Sequence, residues 1–378
     1  MGIQKVPFYL APMAEISHRA LREIIEDFGG CDAYFSEMIS AGALLANGPF
    51  EKWYLDTAPN PQKLIFQLVG SDPEIMSKAA FQLDKLECGG IDINMGCSAP
   101  LIRKTGAGAA WMASVDKAGE LISKIRPHVK RQLSVKLRIG FKEDFEYLVR
   151  FCRRLQDEGV ELITLHPRTV MEKFKRVARW EYVGKLKQEL KIPVAGNGDI
   201  ANAQDLVRRA SGNCDAVMVG RAAVRQPWIF AEARNIEEEI NHGGHGVTRS
   251  KEEEGGEKVL AETSNLWFAR RGEEGVYFNL NLCVSVPPCD YNIEMIGVSP
   301  KVFTVGTLPT FEEIGLRFIE LLAKYQPPEF YISRARRFFG FFCDNLKWGN
   351  YLKNLLNKEE TLAGIEKVWK EYFKENGE

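Results

Sequence analysis

The chain has 378 residues, 45% hydrophobic and 27% charged, with a formal net charge of -1. That length exceeds one small domain and suits a large α/β barrel with an appendage. No run of about 18 apolar residues occurs, which argues against a membrane-spanning helix, and the opening MGIQKVPFYLAPM lacks the apolar core and cleavage site of a secretory signal, so a cytoplasmic protein is expected. The near-neutral total argues against a globally polycationic binder but leaves room for a local basic face.

Eight short β-branched or aromatic runs follow one another through the first 220 residues: FYLAPM, AYFSEM, KLIFQLVG, IDINMG, LSVKLRIG, ELITLHP, IPVAGNG and DAVMVG. Helical periodicity fills most gaps, over residues 18–28, 73–86, 117–129, 145–158 and 203–210. Strand then helix, repeated, predicts a closed parallel (β/α)8 TIM barrel over residues 1–242, in the α/β class. An open doubly wound sheet is the other architecture, but the first strand lacks a GxGxxG turn. Polar residues or glycine end each apolar run, at Pro12, Glu37, Gln67, Asn94, Lys136, His166, Asn197 and Gly220, and in a barrel those ends share the rim where active sites form.

Residues 243–307 read as an insertion, polar and acidic at first, then carrying strand-like pieces (VYFNLNLCVSV, KVFTV) that predict a small β-rich lobe. Residues 308–378 are helical again and read as a separate small domain. Between residues 331 and 358, Arg334, Arg336, Arg337, Lys347, Lys353 and Lys358 stand against Asp344 alone, interleaved with Phe338, Phe339, Phe341, Phe342 and Trp348. Basic and aromatic residues together suit a nucleic-acid face. The competing reading makes the aromatics a core and the cations merely solvated. Cys31, Cys88, Cys97, Cys152, Cys214, Cys283, Cys289 and Cys343 form no CxxC pair and have no histidine at ligand spacing, so neither a metal site nor a disulfide framework is expected.

Chemistry concentrates at the strand ends. Gly196, Asn197, Gly198 and Asp199 end the seventh run and Gly220 and Arg221 the eighth, two glycine-bearing turns where barrels commonly hold a phosphate. Lys136 would project inward, where an ammonium needs an anion. A reduced flavin is one such anion; an ion pair with Glu37 is the structural alternative. His166 and Arg168 (LHPRT) face the same rim, and Gln67 offers the donor and acceptor that suit the polar edge of a flavin or a uracil. Cys97 follows the fourth run. An ordinary thiol, with a pKa near about 8.5, is mostly protonated at neutral pH and can serve as a general acid; alternatively Cys97 is a small residue packed in a tight turn.

Taken together, APMA (residues 11–14), SEMISA (36–41), FQLVG, INMGC with its following GAGAA, VKLRIG, HPRT, GNGDI (196–200), and VGRAA followed by QPWIF resemble the tRNA-dihydrouridine synthases, FMN enzymes that reduce a uridine of tRNA. The likeness runs in order over residues 8–230. It implies that Pro12, Met13, Ala14 and Gln67 cradle the flavin ring, that Lys136 and His166 bind its polar edge, and that Asn197, Gly198, Asp199, Gly220 and Arg221 hold its phosphate end. Asn94 would touch the target uracil and Cys97 would protonate it. NADPH or NADH would reduce FMN, and hydride would pass to carbon six of the uracil.

The implied partner is tRNA, bound by a monomer without metal or membrane. A uridine must leave its stack to reach a barrel rim, and Arg168, Arg334, Arg336 and Arg337, with the basic stretches 124–142 and 168–179, are the expected RNA contacts. Four positions depart from the family pattern: Ser98 replaces the usual proline after the cysteine, Glu15 stands where glycine is usual, His18 stands where aspartate is common, and Trp111 follows the GAGAA run in place of a leucine. Two other functions fit parts of the chain, namely a small-pyrimidine or enone reductase like the dihydroorotate dehydrogenases, and a non-catalytic RNA-binding barrel.

Overall fold

A computed structural model describes residues 5–172, 175–242 and 309–376. Eight parallel strands, β1 (Phe8–Leu10), β2 (Ala33–Ser40), β3 (Leu64–Val69), β4 (Gly90–Met95), β5 (Gln132–Gly140), β6 (Leu162–Thr169), β7 (Val194–Asn197) and β8 (Ala216–Val219), close into one barrel in chain order. β8 returns to β1 with Tyr9 beside Met218. The helices between them are amphipathic and turn their apolar stripes onto the strands, as in α1 (Arg19–Asp27), which buries Ala20, Leu21, Ile24 and Ile25. Asp72 and Asp144 cap two of these helices, each accepting a backbone N–H three residues on. The predicted β-rich insertion, with Cys283 and Cys289, lies outside the described residues.

Period-two alternation sends every second strand residue inward, so the barrel interior is layered. At the floor, Tyr9, Ala33, Phe35 and Ile65 pack as one apolar cluster, and Leu162, Ala195 and Ala216 as another. Higher up the chain changes polarity: Gln67 lies beside Asp92 in register, Asn94 beside Lys136, and Arg138 beside His166. The fold thereby lifts polar side chains from an apolar base to one rim.

The helical end forms one compact unit with the barrel. In α2 (Phe311–Tyr325), α3 (Tyr331–Phe342), α4 (Gly349–Leu356) and α5 (Leu362–Asn376), the aromatic residues make a core: Phe318 stacks on Phe338 at 3.8 Å between centroids, and Phe339 and Phe373 flank Trp369. Phe338, Phe339 and Phe342 are therefore packing residues rather than an RNA face. Arg334, expected to contact RNA, is buried instead, with its Nη1 2.9 Å from Oε2 of Glu37, an ion pair short of hydrogen-bond alignment. Burial pushes the Glu37 carboxyl up, opposed by Arg334. Glu37 is thus Arg334's partner, and the alternative that paired it with Lys136 falls away.

His18, at the head of α1, packs on Phe318 of α2 with ring centroids 6.0 Å apart, and neither ring nitrogen has a hydrogen-bond partner among the described residues. Burial, reinforced by Arg334 and Arg22, holds it well below its ordinary value, so it folds neutral. The unfolded chain takes up a proton at this residue below pH about 6.5 and the folded chain does not, so stability falls as the pH drops through that value. Relative to His18→Leu, the parent is expected to lose about 1.4 kcal/mol per pH unit below 6.5 in urea titrations. Parallel profiles for the two proteins would contradict a neutral buried His18.

Candidate active site

The rim of the barrel carries a cleft of about 230 Å3. One wall is apolar, formed by Ala11, Pro12, Met13, Met38 and Met218; the other carries Lys136, Arg138, His166, Arg168 and Arg221. Asn94, Cys97, Asn197, Gly198, Asp199 and Gly220 also open onto it. Most residues singled out from sequence thus converge. Of the expected flavin and catalytic residues two are not on its lining, Ala14 and Gln67, the latter wholly buried beneath it, and Arg334, Arg336 and Arg337 of the helical end do not line it either. Arg138, Met38, Ile200 and Met218 were missed. Arg138 was legible, because in VKLRIG it is two residues past Lys136 and must face the same way.

Gln67 acts through a chain of hydrogen bonds. Asp92 is buried and accepts from Ser134 Oγ at 2.7 Å and from Gln67 Nε2 at 2.7 Å. Gln67 Oε1 must then turn to Asn94, whose Nδ2 donates to it at 2.7 Å, and this leaves Asn94 Oδ1 to accept the N–H groups of Gly96 (3.2 Å) and Cys97 (2.9 Å). An acceptor-only carboxylate so sets two amide orientations in turn and fixes the cysteine's peptide. Burial raises Asp92 to about 6, which leaves it ionised at neutral pH.

The Cys97 loop is held from other sides as well. Cys97 O accepts from Ala109 N at 3.0 Å, and Arg138 Nε donates to Gly96 O at 3.0 Å. Gly108, with φ +60, lies so close that a Cβ there would meet Cys97 O at 2.9 Å. The Cys97 peptide is pinned in this way with Ser98 following it, and Pro100 starts the short helix Pro100–Lys104. Among the described cysteines, Cys97 alone is only half-buried, whereas Cys31, Cys88, Cys152, Cys214 and Cys343 are buried.

The cationic wall is constrained by its own charges. Burial, then Arg138, pushes Lys136 down to about 8; burial, then Arg168, lowers Arg138 to about 10. Arg168 Nη1 lies 2.9 Å from His166 Nε2, and since a guanidinium only donates, Nε2 accepts and the ring proton sits on Nδ1. Burial, then Lys136 and the arginines, keeps that imidazole neutral. Arg168 also grips both oxygens of Asp199, at 2.5 and 2.7 Å. Expected to meet RNA and a phosphate respectively, Arg168 and Asp199 instead hold each other and brace the turn after β7. In that turn Gly198 has φ +124, and a Cβ would press His166 at 3.0 Å.

Of the remaining arginines, Arg336 donates to Glu359 O at 2.9 Å and Arg337 pairs with Glu15 at 2.8 Å beside the cleft. Basic residues 124–131 precede β5, at the rim opposite the cleft, where Arg126 holds Gly159 O and Arg131 holds Cys88 O. Arg126 and Arg131 are thus structural.

Lys136, Arg138, Arg168 and Arg221 face the cleft against Asp199 as its lining carboxylate. Apolar side chains and cations lining one cleft fit a ring system bearing negative charge, as a flavin mononucleotide does. Among the described residues no group of three or more His, Cys, Asp or Glu could hold a metal.

The family model described as dihydrouridine synthase (Dus) matches residues 9–266. A probable tRNA-dihydrouridine synthase of Aquifex aeolicus is 34% identical over 238 residues, covering 61% of this chain and 74% of its own. The tRNA-dihydrouridine(16) synthase of Ralstonia nicotianae is 29% identical over 234 residues (60% and 72%). The human tRNA-dihydrouridine(47) synthase [NAD(P)(+)]-like protein is 31% identical over 229 residues, covering 60% of this chain and 35% of its own.

Replacing Gln67 by Leu strands both Asp92 Oδ2 and Asn94 Nδ2, so the variant is expected to lose about 2–5 kcal/mol of stability in denaturant titrations. A loss below about 1 kcal/mol would mean that the chain of hydrogen bonds bears little on the fold.

Proposed function

The chain belongs to the dihydrouridine synthase family, and on that premise we propose that the rim cleft is its active site, with FMN as cofactor and NADPH or NADH as reductant. The enzyme reduces uridine in tRNA to dihydrouridine. The observation that carries the site assignment is the half-buried Cys97 opening onto the same cleft as Lys136, Arg138 and His166.

When bound, the flavin supplies the hydride that adds to carbon six of the uracil. Pro12, Met13, Met38 and Met218 would pack the ring on the apolar wall, while Lys136 and the Nδ1–H side of neutral His166 would meet its polar edge. Asn197 is oriented by its own donation to Met218 O at 2.8 Å, and it would flank the phosphate end with Gly198, Gly220 and Arg221. Asn94 holds the Cys97 peptide, and Cys97 gives its proton to carbon five; the resulting thiolate recovers a proton from water. Arg138, tied to Gly96 O, puts a positive charge beside that thiolate. Supporting this reading are the match to the family and the convergence of its motif residues on one cleft.

No described helix is long and apolar enough to cross a membrane. We place the enzyme in the cytoplasm as a monomer, with residues 1–242 as catalytic barrel, 243–307 as insertion and 308–378 as the RNA-binding part, where exposed Arg337 is an RNA contact.

Cys97→Ala is expected to keep flavin and its reduction by NAD(P)H while dihydrouridine formation in unmodified tRNA falls by about 10²–10⁴; full product formation would remove the general-acid role. Because Lys136 loses its charge as the pH rises through about 8, FMN affinity is expected to be flat below that value and to weaken by up to about tenfold per unit above it. Lys136→Met should flatten that dependence. An unchanged profile in the variant would place the anion's contact elsewhere.

A further inference from the structure

The helical end carries a second concavity, of about 250 Å3, built by the turn after α3 and the first turn of α4. Its lining includes Lys347, Trp348, Asn350 and Tyr351. The other aromatics of this region are buried or half-buried, but Trp348 is 56% exposed and Tyr351 62% exposed. Trp348 is the residue before α4 and Tyr351 follows it by three, in the first turn of that helix. The carboxylate in this pocket, Asp344, is taken up by Lys353, and Lys347 lies 5.8 Å from the Trp348 ring centre.

This presentation is rigid. A Cβ at Gly349 would collide with the Cys343 carbonyl, so only glycine lets the chain turn this closely beneath Trp348. Asn345 Nδ2 donates to Arg225 O at 2.6 Å and ties the turn to the short helix Arg221–Arg225, whose first residue lines the active-site cleft. Two exposed aromatic residues, an amide and an ammonium thus line a pocket one short helix away from the cleft.

We propose that this pocket receives an unpaired base of the RNA substrate, stacked on Trp348 and Tyr351 with Asn350 at its edge and Lys347 at the adjoining phosphate. Aromatic stacking with amide contacts is how proteins hold single-stranded RNA bases. The pocket rests on the tRNA reading above, and it would position the RNA while the target uridine is extruded into the cleft. Arg334, Phe338 and Phe339, which sequence placed on the RNA face, are internal, whereas Lys347 and Trp348 of the same stretch are exposed, as is Tyr351 beside them.

The test uses the full-length flavin-loaded enzyme and unmodified tRNA. Trp348→Ala and Tyr351→Ala should each raise tRNA Kd and KM by about tenfold or more, the size expected for a lost base–aromatic stack. Flavin reduction by NAD(P)H, kcat at saturating tRNA, thermal midpoint and the salt dependence of binding should stay unchanged. Trp348→Phe and Tyr351→Phe should retain most of the affinity, and Lys347→Gln should lower the salt slope by about one. Parent-like tRNA affinity in both alanine variants overturns the proposal, as does self-association of the parent in sedimentation that Trp348→Ala abolishes, which would make the pocket an interface between copies. If the parent binds tRNA through Trp348 but forms no dihydrouridine, the pocket stands and the functional reading fails; an active parent with indifferent alanine variants gives the reverse.

Discussion

The site depends on a carboxylate that never reaches it. Asp92 is buried in the barrel one layer below the cleft, a costly place for a charge, and it is tolerated because Ser134 and Gln67 donate to it and Lys136 lies close enough to favour its ionised form. Because an ionised carboxylate can only accept, Gln67 and Asn94 have one orientation each. The peptide that carries Cys97 is fixed from below by a charge instead of from within by a rigid residue.

Eight short β-branched or aromatic runs, each ending in glycine or a polar residue and separated by helical periodicity, made the barrel readable, because a closed parallel sheet has few other ways to bury eight such runs. The cleft was readable for the same reason: strand ends converge by topology, so Cys97, Lys136, His166 and Asn197 could be grouped without coordinates. What sequence could not resolve was depth. Gln67 and Asn94 look equally placed on their strands, yet one lies beneath the cleft and one opens onto it. Arg168 and Asp199 look like ligand contacts until their mutual grip is seen. A charged side chain's partner is a three-dimensional fact, and a stretch such as 124–131 gives no sign of which rim it serves.

The helical end shows the same limit from the other side. An aromatic-rich basic helix fits a nucleic-acid face and a small-domain core equally well in composition. Trp369, Phe318, Phe338 and Phe339 had to fill the interior of a unit only four helices thick, and this claimed most of the aromatics. The arginines then divided by helical face, with Arg334 turned inward to Glu37 and Arg337 outward to Glu15.

Those two pairs bear on how the chain matures. Glu15 holds a left-handed backbone, φ +62, that favours glycine; its N–H is fastened to Glu37 Oε1 at 2.6 Å and its carboxylate to Arg337, 322 positions away in sequence. Met13, on the apolar wall of the cleft, belongs to the same loop. During synthesis the eight strands can pair long before Arg334 and Arg337 leave the ribosome, so the wall beside Met13 would be completed last. A nascent barrel would have its sheet before it has a finished binding cleft, and the helix that closes the loop would also decide when the enzyme becomes competent to take up its cofactor.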